Sequence, residues 1–346
     1  MIWEEDMKEF GKITGRAVIA IAAGVATTAG ASAADFTMKF AGAGGAEDPS
    51  SKYIADYTEC VQAESQNRIE VQHFPGTQLG GIGAQIQGLQ LGTIEAASMA
   101  GQHMKSVEPS YGVIDAPGLF TSYKHANDTY WDPAFMEPYL SAGRDKGVMG
   151  VGIWAYGPSS FQTVDPVETI EDFKGLKLRI LATEIEQRTA NTIGAAGIQV
   201  DWSDIVPALQ RGQIDGVHTN IVLAHAFKFQ TVAKHVTLTN ETMFANVHFM
   251  STKFYDSLPD DLKAVVMECG KVASQSVAPL AEELGTGAEQ KWTDAGGEVH
   301  RLNEAEQAEF MSSVAGIVND VYGNDPALQD MYDLLKNTAQ KHQPQG

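Results

Sequence analysis

Cysteine is nearly absent from this chain. There are two, Cys60 and Cys269, in 346 residues. They are far apart and no Cys-x-x-Cys occurs, which excludes cysteine-based zinc and thioredoxin-type centres. Both fall in helical patterns. In an oxidising compartment they can pair; otherwise they are two partly buried thiols, and the sequence leaves both readings open. Basic residues are also scarce, 24 Lys and Arg against 44 Asp and Glu, for a net charge of -20. That balance argues against nucleic acid or an anionic membrane surface as partner. Beyond the first thirty or so residues, no run is long and apolar enough to cross a bilayer. Gly-x-Ser-x-Gly, His-Glu-x-x-His and Gly-x-x-x-x-Gly-Lys-Ser/Thr are all missing, and Gly80-Gly81-Ile82-Gly83 lacks the lysine of a phosphate loop. His218 and His225 lie seven apart with no carboxylate at close spacing, so no metal or cofactor is expected.

What is present begins with a leader. Lys8, Lys12 and Arg16 form a positive region, Ala17 to Ala29 a short apolar run, and Ala31-Ser32-Ala33 a small-x-small cleavage site. The expectation is a signal peptide over 1–33, removed on export, with Ala34 as the mature start. A retained anchor is the alternative, but the run is too short to span comfortably. Glu4-Glu5-Asp6 is untypical of a leader and points to Met7 as the start. The leader holds three basic and four acidic residues, so the remainder stands at -19.

The remainder has the length of two modest domains. Phe36–Phe40 alternates as a strand, and Asp48-Pro49 starts a helix reaching Glu64. Arg68–Phe74 is a strand, Leu79–Leu91 a Gly-rich helix and Glu95–Ala100 a strand, which together give a largely parallel sheet. Tyr123–Gly143 is mostly helical. Further strands are expected at Val148–Trp154, Ser160–Val164, Lys177–Leu181, Gly197–Val200, Gly216–Thr219 and Asn246–Ser251. A long helix opens at Leu258-Pro259-Asp260-Asp261 with acidic residues at its positive end, and helices at Glu304–Tyr322 and Ala327–Lys341 close the chain. The fold class is α/β.

Four segments carry a resemblance. Glu171-Asp172-Phe173-Lys174-Gly175-Leu176-Lys177-Leu178-Arg179 is similar to the "dlkGlKlRvp" signature of DctP-type solute-binding proteins of TRAP (tripartite ATP-independent periplasmic) transporters. The run Ser203 to Gly216, with Ala208-Leu209-Gln210-Arg211-Gly212-Gln213-Ile214-Asp215-Gly216, resembles "seiy.ALqtGvvDG". Tyr255 to Leu262 resembles "y..LPeDl", and Phe74 to Gly80 resembles "yP.sqLG". The resemblance implies a periplasmic solute-binding protein fold: two α/β lobes, a central cleft and a long bracing helix. Lobe I is expected at 34–156 plus about 245–284, and lobe II at 157–244 plus about 285–346. It implies no catalysis, a small-molecule ligand and TRAP permease subunits as partners; a monomer is expected. The rivals are an exported enzyme and a binding protein for an ABC importer.

The resemblance also implies where ligand is met. Arg179 matches the arginine that clamps a ligand carboxylate, for which a planar, permanently charged fork of donors is suited; pairing with a neighbour such as Glu184 is the structural alternative. Trp202 takes the place of an aromatic that covers the ligand body, or else a core tryptophan. Thr219 and Asn220 stand where the family carries an asparagine. His218 is unusual for the family and reads equally as a helix-edge histidine. Ser159 occupies the place of a second arginine found in many relatives, so a smaller or less anionic ligand is expected: a monocarboxylate, a sulfonate, a zwitterion or a small amine. Trp154, Tyr156 and Phe161 suit a ring-stacked ligand or the core. His103, Gln102, the Gly42–Ala46 loop, the Gly80-Gly81 turn, Phe244 and Asn246 are further candidates.

Overall fold

A computed structural model describes residues 34–42, 44, 48–181 and 183–344. The expected leader and most of the Gly42–Ala46 loop lie outside the described residues. In chain order the elements are β1 (Phe36–Gly42), α1 (Pro49–Glu64), β2 (Ile69–Phe74), α2 (Ile82–Leu91), β3 (Ala96–Ala100), α3 (Tyr123–Tyr130), α4 (Pro133–Ser141) and β4 (Val148–Thr163). There follow β5 (Lys177–Ile180), α5 (Glu184–Thr192), β6 (Ala196–Gln199), α6 (Ile205–Gln210), β7 (Gly216–Thr219), α7 (Ile221–Ala226) and β8 (His235–Ser251). The chain closes with α8 (Thr252–Ser257), α9 (Asp260–Asp294), β9 (Glu298–Arg301), α10 (Glu304–Tyr322) and α11 (Pro326–Lys341).

Local chemistry explains many boundaries. The Asp48 side chain accepts from Ser50 N at 2.8 Å with Pro49 in the first turn, as a proline-led helix start requires. Thr183, Asn303 and Asp325 cap α5, α10 and α11 in the same way.

All strands join one sheet in the order β2-β1-β3-β8-β4-β7-β5-β6, with β9 beside β8. The β1, β2, β3 group and the β5, β6, β7 group are parallel, as the alternation of strands and helices implies. The expectation of a largely parallel sheet needs correction at the centre, where β4 and β8 run antiparallel to each other and to their neighbours β7 and β3. The two short strands expected at Val148–Trp154 and Ser160–Val164 are one strand of 16 residues. Gly157-Pro158 suggests a break, but the ladder slips register on either side of this pair, so proline's missing N–H is absorbed at an irregularity. On the partner strand, Asn246–Ser251 is only the end of a 17-residue strand. The larger slip lies here: Pro158 pairs with Met243 and Ser160 with Leu238, which leaves Thr239 to Thr242 opposite Ser159 alone.

α9 spans 35 residues, about 52 Å of helix. It packs on α1 and β4 near its start and on α7 and β9 near its end. It passes close to β4 through paired glycines. A Cβ on Gly152 would sit 2.7 Å from the Gly270 carbonyl, and one on Gly270 would sit 2.4 Å from the Val151 carbonyl. One hydrophobic cluster covers most of the sheet; a smaller one gathers α6, α7, the start of β8 and Trp292 of α9.

Cys60 and Cys269 form a disulfide joining α1 to α9, with Cα atoms 5.6 Å apart. This answers the question the sequence leaves open. The bridge closes a loop of 209 residues, which limits the unfolded chain strongly. Replacing both cysteines by alanine is expected to lower unfolding free energy by about 2–5 kcal/mol, read from urea melts. A reductant should shift the wild-type midpoint and leave the double variant unmoved.

Candidate ligand-binding site

The cavity lies where the strand ends of both groups converge on the β4–β8 ladder. It is lined by Gly44, Asp48 and Ser50 after β1, by Ser98, Met99, Ala100 and His103 around the end of β3, and by Tyr156 of β4. From the other side come Leu181, Trp202, Thr219, Asn220, Leu223 and Phe227, and β8 adds Phe244, Ala245 and Asn246. Clefts at the carboxyl ends of strands are the usual ligand position in open α/β sheets. The cavity volume is about 90 Å³, several times what one water needs, and it suits a small solute.

Of the expected site residues, the fold brings Trp202, Thr219, Asn220, His103, Phe244 and Asn246 to this one cavity. The Asn220 side-chain oxygen caps α7 by accepting from Leu223 N at 2.8 Å. The Asn246 oxygen accepts from Ser98 Oγ at 2.8 Å. With both oxygens engaged, the two NH₂ groups are left as donors, as an anion requires.

Arg179 is not itself in the lining. It sits on β5 between Ile198 of β6 and Val217 of β7, and is 4 % exposed. Its Nε donates to the Val200 carbonyl at 3.2 Å, while Nη1 is buried with no hydrogen-bond partner among the described residues. Its guanidinium carbon lies 5.1 Å from the Trp202 ring centre, a cation–π contact with the lining tryptophan. Glu184 is not its partner; that carboxylate pairs with Arg188. Burial lowers the Arg179 pKa to about 10, so the group stays charged at neutral pH. Burial, with the positive charges of Arg179 and Lys105, pushes His103 down to about 3 and keeps it neutral.

Ser159 is a correction. It is fully buried and outside the cavity lining; its Oγ donates to Glu241 Oε2 at 2.6 Å and accepts from Thr242 N at 3.0 Å. The register slip in β8 brings Glu241 to it. His218 is a second correction: it lies within β7, stacked on Phe161 at 4.5 Å, rather than on a helix edge. Its Nε2 is 2.7 Å from Glu241 Oε1 and its Nδ1 3.3 Å from Glu186 Oε1. Burial alone would lower His218, but the two carboxylates overcome it and hold its pKa at about 10. Burial likewise raises Glu241, and His218 with the hydrogen bonds more than offsets it, leaving this carboxylate below its usual range. Glu186 Oε2 also accepts from Leu181 N at 2.5 Å, which fixes the loop after β5. Next to this chain, burial and Glu186 push Asp115 up to about 8, against a hydrogen bond from Thr183.

Asp48 is the lining residue that sequence reasoning read only as a helix start. Its Oδ1 accepts from Ser50 N and Oγ and from Tyr156 OH at 2.9 Å, and burial raises its pKa. The signal was its position: a helix N-cap directly after the first strand of a parallel unit. Trp154 and Phe161 are core residues, fully or almost fully buried, with Trp154 stacked on Tyr53 at 4.4 Å. Gln102 is buried with neither amide atom partnered among the described residues. The Gly80-Gly81 turn contributes only through the adjacent Ile82.

Residues 40–325 match the DctP family, bacterial extracellular solute-binding protein, family 7. The chain belongs to this family. The protein is 27% identical to the C4-dicarboxylate-binding periplasmic protein DctP of Rhodobacter capsulatus, over 86% of this chain and 90% of that one. It is 28% identical to the uncharacterized protein YiiZ of Salmonella typhimurium, over 60% of this chain and 63% of that one. Among solved structures, a TRAP periplasmic solute binding protein from Desulfovibrio salexigens with bound orotic acid superposes with a TM-score of 0.84. That match has 20% identity and covers 88% of this chain and 99% of the other, a likeness of fold. The DctP-type recognition made from four motifs therefore holds, and so does the α/β binding-protein fold.

His218 has a raised pKa in the fold, so its contribution is complete below about pH 6.5 and is lost as pH rises toward 10. His218→Gln strands two buried carboxylates and is expected to cost about 3–5 kcal/mol at pH 7. Urea melts between pH 7 and 10 should show wild-type stability falling more steeply than that of the variant.

Proposed function

We propose that this DctP-family protein captures a small organic acid with one carboxylate in the periplasm, as a monomer, and passes it unaltered to TRAP permease subunits. The observation that carries this is Arg179: a buried cation with an unpartnered Nη1, forming no ion pair among the described residues, behind the Trp202 face of the cavity. Leaving such a group unpaired is costly, and a ligand carboxylate is the natural partner. The two lobes correspond in this reading to the sheet halves on either side of the β4–β8 slip, 34–156 with about 245–284 and 157–244 with about 285–346, except that α11 packs on α3 and α4 and so goes with the first. Closure there brings ligand and guanidinium together.

The preference for one carboxylate rests on charge. The described lining contains no lysine or arginine and does contain Asp48. The positive charge of His218 is met by two glutamates, and Ser159 stands where the resemblance places a second arginine of many relatives. Asp48 favours a second reading within the same class, an acid that also carries a hydroxyl or ammonium donor. The relatives fit an organic acid: one is named for C4-dicarboxylates and one solved structure holds orotic acid.

A thermal-shift panel of mono- and dicarboxylates, sulfonates, zwitterions and amines supplies the ligand; strongest stabilisation by dicarboxylates would overturn the charge argument. With the best stabiliser, Arg179→Ala is expected to weaken calorimetric affinity by roughly 2–5 kcal/mol, about 30- to 5,000-fold, with the fold intact. Equal affinity in the variant would sink the proposal. Asp48→Asn should weaken acids that carry an ammonium or hydroxyl more than simple acids. Long incubation followed by mass spectrometry should return the ligand unchanged.

A further inference from the structure

Far from the cavity, at the edge where β9 joins β8, a second group of side chains converges. His235 and Glu298 are aligned partners in the parallel β8–β9 ladder. His300, two residues beyond Glu298, lies on the same face of its strand because side chains alternate. His235 Nδ1 is 3.1 Å from His300 Nε2 and 3.5 Å from Glu298 Oε2. One ligand atom from each residue falls within 4.8 Å of the others. A tetrahedral cation with bonds of about 2.0–2.1 Å sets its ligand atoms about 3.3 Å apart, close to the two spacings made by His235.

We propose that His235, Glu298 and His300 form a site for a first-row divalent transition cation of the zinc type. Two imidazoles and one carboxylate select such an ion over calcium or magnesium, which take oxygen ligands. His235 is buried, the His300 side chain is 13% exposed and that of Glu298 54% exposed. The imidazoles are therefore held firmly, and the carboxylate side stays open for water as a fourth ligand. Without metal the two rings share one N–H between them. Metal binding turns both nitrogens to the cation, and the displaced proton moves to the other nitrogen of one ring. On His300 that nitrogen is Nδ1, which faces Glu168 Oε1 at 3.8 Å; a carboxylate behind a ligating histidine is the usual orienting partner. Lys234 competes, its Nζ lying 3.6 Å from Glu298 Oε1. The site departs from the sequence expectation of no metal, because the ligands are 65 residues apart in sequence and meet only through the β8–β9 pairing.

The test is calorimetric titration of Zn²⁺ into the untagged, metal-stripped full chain, with Co²⁺ absorption between about 500 and 650 nm reporting tetrahedral ligation. One Zn²⁺ per chain is expected. His300→Ala and Glu298→Gln should each weaken it at least about tenfold, His342→Ala should leave it unchanged, and Lys234→Gln should tighten it. Circular dichroism of each metal-free variant checks folding, and exposed Glu298 gives the reading if His300→Ala does not fold. No binding by the wild type, or equal binding by wild type, His300→Ala and Glu298→Gln, would overturn the proposal.

Discussion

The pairing of β4 with β8 is the constraint on which the rest depends. These two long strands are the only elements of the described sheet that belong to both of its halves, and each contributes one stretch to either side. Everything that lines the cavity is hung from them or from the parallel strands beside them. Their ladder slips register at three places, and the largest slip, between Pro158 and Ser160, brings Glu241 to Ser159 and His218. A buried chain of polar and charged groups on β4, β7, β8 and α5 thus depends on a backbone irregularity. Its groups satisfy one another, which is the condition under which buried charge is tolerated.

Arg179 behaves in the opposite way. It lies on the same sheet, at similar depth, yet its guanidinium has a backbone carbonyl and an aromatic face where His218 has two carboxylates. Two buried cations close together therefore have different roles, one closed and one left with donor capacity. The contrast between them separates the part of this sheet whose buried charges pair with one another from the part that keeps an unpartnered donor.

Much of this was legible in the sequence. Alternation and capping residues located α1, α10, α11, the start of α9 and the parallel strands to within a few residues, because those signals are local. Trp202, Thr219 and Asn220 were placed by motif spacing just after or at the ends of strands, and Phe244 and Asn246 by spacing along what proves to be β8; all five border the cavity. The continuous strand through Gly157-Pro158 was not legible, because a proline breaks a regular ladder and only the partner strand shows where the irregularity falls. Ser159 was misplaced for that reason, and His218 because its two glutamates come from distant segments. Asp48 is visible in sequence as a cap; that the same carboxylate also borders the cavity depends on the folded position of Tyr156.

The Cys60–Cys269 bridge has a consequence for the order of events in folding. Its first sulfur belongs to the first helix and its second to a helix that emerges after three-quarters of the polypeptide has been made. Until α9 arrives, α1 lacks the helix it is bonded to. The covalent link is accordingly a late seal, and oxidation at this position marks a molecule whose terminal and central segments have already found each other.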